Sequence, residues 1–131
     1  MQVYDLDGYE SKWNMGGKEV HADTRPRSSL HKAAREVLRS RFPTLQMLEE
    51  VRVKVRKGKT LYIDFYFPLR KLAVEVHGQQ HYSFNSMFHN TKQDFMRQCK
   101  NDRDKAEWCE INGIELIVFK YDEEEDWTDQ I

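Results

Sequence analysis

An α/β fold, with a mixed sheet of about four strands flanked by helices, is predicted by three features of this sequence. Residues 61–67 and 72–76 form two apolar runs at strand spacing, joined by Pro68-Leu69-Arg70-Lys71. Two segments, from Ser28 to Phe42 and from Thr91 to Asn112, repeat their apolar side chains at helical spacing. A further apolar run, Ile114 to Phe119, follows the second helix. The predicted order is helix, three antiparallel strands, helix, strand.

Residues 1–27 show no sustained period and carry Gly8, Gly16, Gly17 and Pro26, which predicts an irregular N-terminal extension. Ser28 or Ser29 caps the first helix, whose Leu30, Ala34, Val37 and Leu38 share one face, and Phe42-Pro43 stops it. On that wheel His31 falls at the edge of the apolar stripe and Glu36 falls toward solvent. From Met47 to Arg56 the valines Val51, Val53 and Val55 alternate with Arg52, Lys54 and Arg56, and Lys57-Gly58-Lys59 turns the chain. Thr91 and Asp94 stand at capping-box spacing at the start of the second helix, and Asn112-Gly113 ends it. Its apolar stripe, Phe95, Cys99, Ala106 and Cys109, needs a member at position 102, and that residue is Asp102. Residues 28–120 are thus read as one domain, followed by an acidic tail, residues 121–131.

The chain has 131 residues, 39% hydrophobic and 33% charged, which suits one domain with a small core under a charged shell. It shows neither a signal peptide nor a span of about 20 apolar residues, so an intracellular protein is expected, with no membrane partner. Cys99 and Cys109 lie about 15 Å apart on one predicted helix, too far to bridge, and no CxxC zinc pattern is present. The net charge of −1 hides a division: six acids and no base occupy residues 121–131, leaving residues 1–120 at +5. Such a body attracts phosphate. The tail is expected either to be a disordered solubiliser or to compete for the same surface and self-inhibit, or to contact a basic partner.

The chemistry gathers between Leu61 and Tyr82. Asp64 and Glu75 fall in adjacent strands of one hairpin, where two unpaired carboxylates cost several kcal/mol, an arrangement that points to a hard cation between them. His77 and His81 follow at once. Asp102, an acid in the apolar seam of the second helix, points toward the same edge or pairs with a neighbouring base such as Arg103. The loop aromatics Tyr82, Phe84 and Phe88 read as the loop's own small core in preference to a base-stacking wedge, and His21 and His89 as satisfied loop histidines.

In these residues, IDFYFP followed by LAVEVHGQQHY and NDRDKAEWCEINGIELIVF, the chain resembles the PD-(D/E)xK nucleases. The branch it resembles holds the very-short-patch-repair endonucleases and the phage homing endonucleases described by an EDxHD motif. The resemblance covers residues 28–120 and implies a three-layer α/β/α, restriction-endonuclease-like fold. It implies a metal-dependent endonuclease, Mg²⁺ or Mn²⁺ as cofactor, double-stranded DNA as partner, and the host cytoplasm as location where the gene is phage-borne. By this carry-over Asp64 is the metal-binding aspartate, Glu75 fills the acidic position of ExK, His77 stands where the lysine would be, and His81 is the family's histidine. Asp102 matches the acid of the following helix, with Lys105 one turn on. The glutamate of the first helix is missing at its usual place, where His31 stands, so either His31 or Glu36 serves there. The cysteine-rich zinc site of the repair enzymes is also missing.

The residue types suit phosphodiester hydrolysis. Asp64, Glu75 and the backbone carbonyl of Val76 would hold the ion, and His77 or His81 would act as general base with the other as acid or phosphate contact. Arg52, Lys54, Arg56, Lys57, Lys59, Arg103 and Lys105 would meet backbone phosphates. Nicking needs one copy, and double-strand cleavage by a single-site fold needs a homodimer. Two other readings fit: a non-catalytic nucleic-acid- or protein-binding module that keeps the nuclease fold, and an RNA- or branched-structure-selective nuclease.

Overall fold

A computed structural model describes residues 1–15, 18–19, 28–86 and 89–131. Among these, strands β1 (Gln2–Tyr4), β2 (Glu10–Lys12) and β3 (Lys18–Glu19) precede helix α1 (Ser29–Arg41). Then come β4 (Leu48–Arg56), β5 (Lys59–Phe67), β6 (Leu72–His77), α2 (Lys92–Ile111), β7 (Glu115–Lys120) and a short α3 (Trp127–Gln130). The main sheet runs β3-β4-β5-β6-β7, with every pair antiparallel except the parallel β6–β7. The fold is α/β around a mixed sheet.

Strands β5 and β6 send alternate side chains to opposite faces, as the period of two requires. Tyr66 and Ala73 join a cluster with Trp108, Cys109 and Ile114 at the end of α2. Phe65, Phe67, Leu72 and Val74 join a second cluster with Ala34, Leu38 and Phe42 of α1. The sheet therefore lies between the two helices, in three layers. Helix α1 starts where Ser28 accepts a hydrogen bond from the His31 amide, and α2 starts where Thr91 accepts one from Asp94. Gly113, at a φ of 67°, carries the chain out of α2, and Ile114 N–H bonds back to the Cys109 carbonyl at 2.9 Å.

Two expectations about the chain ends are corrected. Residues 1–15 are a packed hairpin, not an irregular extension: β1 and β2 pair, Trp13 is buried, and its Nε1 donates to the Arg52 carbonyl at 2.9 Å. Strands of three residues are too short to show a period, which is why the sequence read as irregular. Gly16, Gly17, His21, Pro26 and Phe88 lie outside the described residues. The acidic end is not a disordered solubiliser either. Trp127 is fully buried, stacked on Phe119 at 4.8 Å, and its Nε1 donates to the Lys120 carbonyl at 3.0 Å.

The stripe assigned to α2 also needs revision. Ala106 is exposed, and the sheet-facing side carries Gln98, Asn101, Asp102, Asp104 and Lys105 before Trp108 and Cys109. Asp104 is buried and ion-paired to Lys59 at 2.6 Å. Lys59 and Glu75 of the sheet meet Asp104 and Lys105, and His81 and His89 of the segment after β6 meet Asp102 and Gln98.

Candidate functional site

The site is built from β5, β6, the turn after β6, and α2. Extending the Phe65–Val74 register by one step sets Asp64 opposite Glu75. The Val76 amide donates to Asp64 Oδ2 at 2.8 Å, and the Asp64 amide donates to Glu75 Oε2 at 3.3 Å. From α2, Lys105 Nζ reaches Glu75 Oε1 at 2.5 Å and donates to the Tyr62 carbonyl at 3.3 Å. Burial, and then the neighbouring Glu75 charge, hold the Asp64 carboxyl well above the usual carboxylate range. Burial works against the Lys105 ammonium, but Glu75 and Asp64 outweigh it and raise its pKa. One ammonium thus balances two carboxylates incompletely, which leaves an oxygen-only donor set able to accept a further hard cation. The contact that Val76 makes with Asp64 is through its N–H, and Lys105 is an ion-pair partner, not a free phosphate contact.

Immediately beside this pair lies a second group. Gly78 ends β6, and the single 3₁₀ turn Gln79–His81 folds His81 back over His77, the rings parallel within 2° and 4.1 Å apart. Asp102 faces both: His81 Nδ1 is 2.8 Å from its Oδ2, and His77 Nε2 is 3.9 Å from its Oδ1. His77 Nδ1 meets the Tyr82 hydroxyl at 3.1 Å.

The hydrogen bonds assign the tautomers. The Asn85 amide donates to His89 Nδ1 at 3.1 Å, so the proton of His89 is on Nε2, which reaches Gln98 Oε1 at 2.8 Å. Gln98 Nε2 then donates to His81 Nε2 at 3.2 Å, so the His81 proton lies on Nδ1 and points at Asp102. His89 is thus a satisfied loop histidine, as expected, and through Gln98 it is also tied to this network. Sequence offered no signal for that tie, since its partner Gln98 is an uncharged residue on a helix. Phe84 and, from α2, Phe95 each contact the His89 ring, but Tyr82 and Phe84 remain 43% and 42% exposed, so the described loop aromatics do not close into a small core of their own.

Burial, then the charge of His81, push His77 down to about 4. The unfolded chain takes up this proton near the ordinary value of 6.5. Stability is therefore complete above that value and is lost as pH falls from 6.5 toward about 4. At about pH 5 the loss is on the order of 2 kcal/mol. Urea midpoints at about pH 7.5 and pH 5 should converge for wild type and His77→Asn by that amount; parallel curves would refute the burial of a neutral His77.

Several expected members stand elsewhere. His31 is buried on the α1 face, stacked on Phe65 at 4.6 Å, with its Nε2 2.6 Å from Glu49. Arg35 meets both oxygens of the same fully buried Glu49, at 3.0 and 3.1 Å. Glu36 is exposed, at a surface hollow lined by Val37, Ser40, Arg41 and Thr128. Neither His31 nor Glu36 joins Asp64 and Glu75, because the helix that carries them packs on the opposite face. His31 instead satisfies a buried carboxylate that the sequence reading passed over.

Of the basic side chains, Arg56 is paired to Asp7 at 3.0 Å, Lys59 to Asp104 and Lys105 to Glu75. Arg52, Lys54, Lys57 and Arg103 are exposed. Arg52 and Lys54 line a cleft of about 460 Å³ with Lys12, Trp13 and Thr60, closed at one side by Trp108, one turn along α2 from Lys105. Cys99 and Cys109 are unbridged, and burial pushes the Cys109 thiol up to about 12. No described helix is long and apolar enough to cross a membrane.

No family model matches the chain, and no solved structure matches it. Uncharacterized protein 033L of Invertebrate iridescent virus 3 is 42% identical over 64 residues, 49% of this chain and 33% of that protein. Uncharacterized protein 307L of Invertebrate iridescent virus 6 is 43% identical over 61 residues, 47% of this chain and 31% of that protein. The chain spans about a third of the length of these two relatives. Uncharacterized protein 094L of Frog virus 3 (isolate Goorha) is 32% identical over 124 residues, 91% of this chain and 79% of that protein, so the chain belongs to the same family as 094L.

Proposed function

We propose that the chain is a metal-dependent endonuclease with a restriction-endonuclease-like fold, hydrolysing phosphodiester bonds in DNA inside the cell. The observation that carries this reading is the placement of Asp64, Glu75 and Lys105 next to His77, His81 and Asp102, brought from two strands, a turn and a helix to one spot. Carboxylates, an ammonium and a carboxylate-bound imidazole are the groups that phosphoryl transfer to water requires. The lysine absent from the strand position beside Glu75 is supplied by α2. Mg²⁺ or Mn²⁺, held by Asp64 and Glu75, would neutralise charge on the phosphate as it is attacked.

The chain's own residues divide the remaining work. Asp102 fixes His81 in the tautomer whose Nε2, held in the resting chain by the Gln98 amide, carries the lone pair that accepts a proton once Gln98 is displaced, and it stabilises the imidazolium that forms. His77 stays neutral at physiological pH, and its Nε2 is a buried atom without a hydrogen-bond partner among the described residues, ready to meet a water. Lys105 holds Glu75 in place. Exposed Arg52, Lys54, Lys57 and Arg103 would bind DNA phosphates and give affinity without sequence information.

A plasmid-nicking assay with Mg²⁺ or Mn²⁺ against an EDTA control tests the reading. His81→Ala and Asp102→Asn should each slow nicking by about 10² or more with DNA affinity nearly unchanged, as proton transfer predicts. Affinity that falls in step with the rate would reassign the pair to phosphate binding. Absence of metal-dependent nicking, with DNA binding intact, would favour the non-catalytic module, a reading to which the Lys105–Glu75 contact lends some weight because it already neutralises part of the pair.

A further inference from the structure

The His77, His81 and Asp102 group differs in kind from the Asp64–Glu75 pair. The pair offers oxygen alone, whereas the group offers imidazole nitrogens and one carboxylate. Its ligand atoms all lie within 4.8 Å of one another, on three side chains 10%, 13% and 17% exposed. Ligand atoms around a tetrahedral zinc, at bonds of about 2.1 Å, stand about 3.4 Å apart. His81 Nδ1 is 2.8 Å from Asp102 Oδ2 and His77 Nε2 is 3.9 Å from Asp102 Oδ1, on either side of that value, whereas the group as a whole spans up to 4.8 Å. Because the two rings lie parallel, one imidazole must tilt out of the stack for both nitrogens to converge on one ion.

We propose that His77, His81 and Asp102 form a binding site for zinc or a similar borderline transition-metal ion, separate from any magnesium at Asp64 and Glu75. The donor set carries the assignment: imidazole suits zinc, copper, iron and nickel, while magnesium prefers oxygen and retains its waters. A second observation points the same way. His77 Nε2 is buried and makes no hydrogen bond among the described residues; in the tautomer whose Nδ1 donates to the Tyr82 hydroxyl it holds a bare lone pair, which costs free energy until something with a positive charge or a proton to donate meets it. Coordination at Nδ1 needs the other tautomer of His81: its proton moves to Nε2, where Gln98 turns its carbonyl oxygen to accept it, and the Asp102 carboxylate then faces the metal in place of that N–H. Three protein ligands leave a fourth position open to water.

This site rests on the geometry of the group and not on hydrolysis, but it bears on it. A zinc ion occupying the Nδ1 edge of His81 removes the carboxylate contact that fixes the base, so zinc would inhibit where magnesium activates.

The experiment is competition for Zn²⁺ between the full chain and a chromophoric chelator at neutral pH, with no nucleic acid present. One equivalent should bind to wild type, and affinity should fall at least tenfold in His81→Ala and in the near-isosteric Asp102→Asn, with far-UV circular dichroism showing both folded. Cys99→Ser and Cys109→Ser should bind as wild type does, and a thousandfold excess of Mg²⁺ should not displace the zinc. No competition by the wild type overturns the proposal. So does unchanged affinity in both site variants, loss in a cysteine variant, or displacement by Mg²⁺. Because the readout is zinc occupancy, its outcome is independent of whether the chain nicks DNA.

Discussion

Asp64→Asn is expected to abolish nicking and to leave the folded chain at least as stable as the wild type. The two halves of that result have one cause. Asp64 and Glu75 are opposed across β5 and β6 with one lysine between two carboxylates, and burial with the Glu75 charge raises the Asp64 carboxyl well above its usual range. Ionising Asp64 therefore costs folding free energy at neutral pH. The sign is set by the raised value: folded chain holds this proton to a higher pH than unfolded chain, so stability is lost as pH rises through the folded value. Asparagine keeps an oxygen to accept the Val76 amide and adds an N–H₂ that can donate to Glu75, replacing a repulsion by a hydrogen bond of about 1 kcal/mol. The activity loss should be about 10³-fold or more, the scale of removing a group that balances transition-state charge. Plasmid nicking and urea midpoints at neutral pH measure the two halves. Full nicking by the variant would end the nuclease reading as drawn here, and a stability loss above about 3 kcal/mol would make Asp64 a structural residue instead.

What the sequence made legible follows from what periodicity can report. Asp64 and Glu75 could be set side by side because two apolar runs with a short turn between them can only pair antiparallel, and the turn fixes the register. Asp102 could be aimed at the same edge because an acid in a helix seam is out of place for packing, but that its partner is His81 and not a base such as Arg103 shows only in the fold. The helix ends were legible from Ser28, Thr91 and Asn112-Gly113, whose side chains or backbone angles do local work.

The misses share a cause too. The seam of α2 is polar at Gln98, Asn101, Asp102, Asp104 and Lys105, so apolar spacing selects Ala106, which is exposed, and assigns Lys105 to DNA phosphates where the fold pairs it with Glu75. The charged ones among them are held by partners distant in sequence, Lys59 for Asp104 at 2.6 Å, Glu75 for Lys105 and His81 for Asp102. The same is true of Glu49, whose burial is compensated by His31 and Arg35 from another element. His31 was drawn toward catalysis by the family's pattern, when its chemistry is spent on that carboxylate. Trp127 was invisible for a different reason: one aromatic among six acids has no period, and only the tertiary structure shows that Phe119 receives it.

That buried tryptophan changes what the acidic end should do. Deleting residues 122–131 removes Trp127 from a cluster that includes Ala34, Leu38, Phe42 and Phe119, and it also removes the Ile131 carbonyl that accepts from Arg41 Nε at 3.2 Å. Trp127→Ala alone should cost about 3–5 kcal/mol, the range for truncating a large buried aromatic, and should lower the melting temperature by ten degrees or more. A truncated chain is therefore the wrong probe of charge. The charges themselves sit at the rim of the site: after burial and Asp102, Glu123 and Asp122 help push the Tyr82 hydroxyl up to about 12, and that hydroxyl meets His77. Lys120 lies over the Tyr82 ring at 4.7 Å, so the segment approaches the site with acid and base together. Neutralising Asp122→Asn with Glu123→Gln keeps Trp127 in place and tests repulsion alone. Nonspecific DNA binding should tighten several-fold at low salt and converge with the wild type as the Debye length shrinks to about 3 Å at 1 M. Salt titrations that superimpose throughout would show that these acids do not screen the site. Curves that stay apart at high salt would mean that the substitutions had altered packing around Tyr82, which the Trp127→Ala melt would reveal by a matching change in cooperativity.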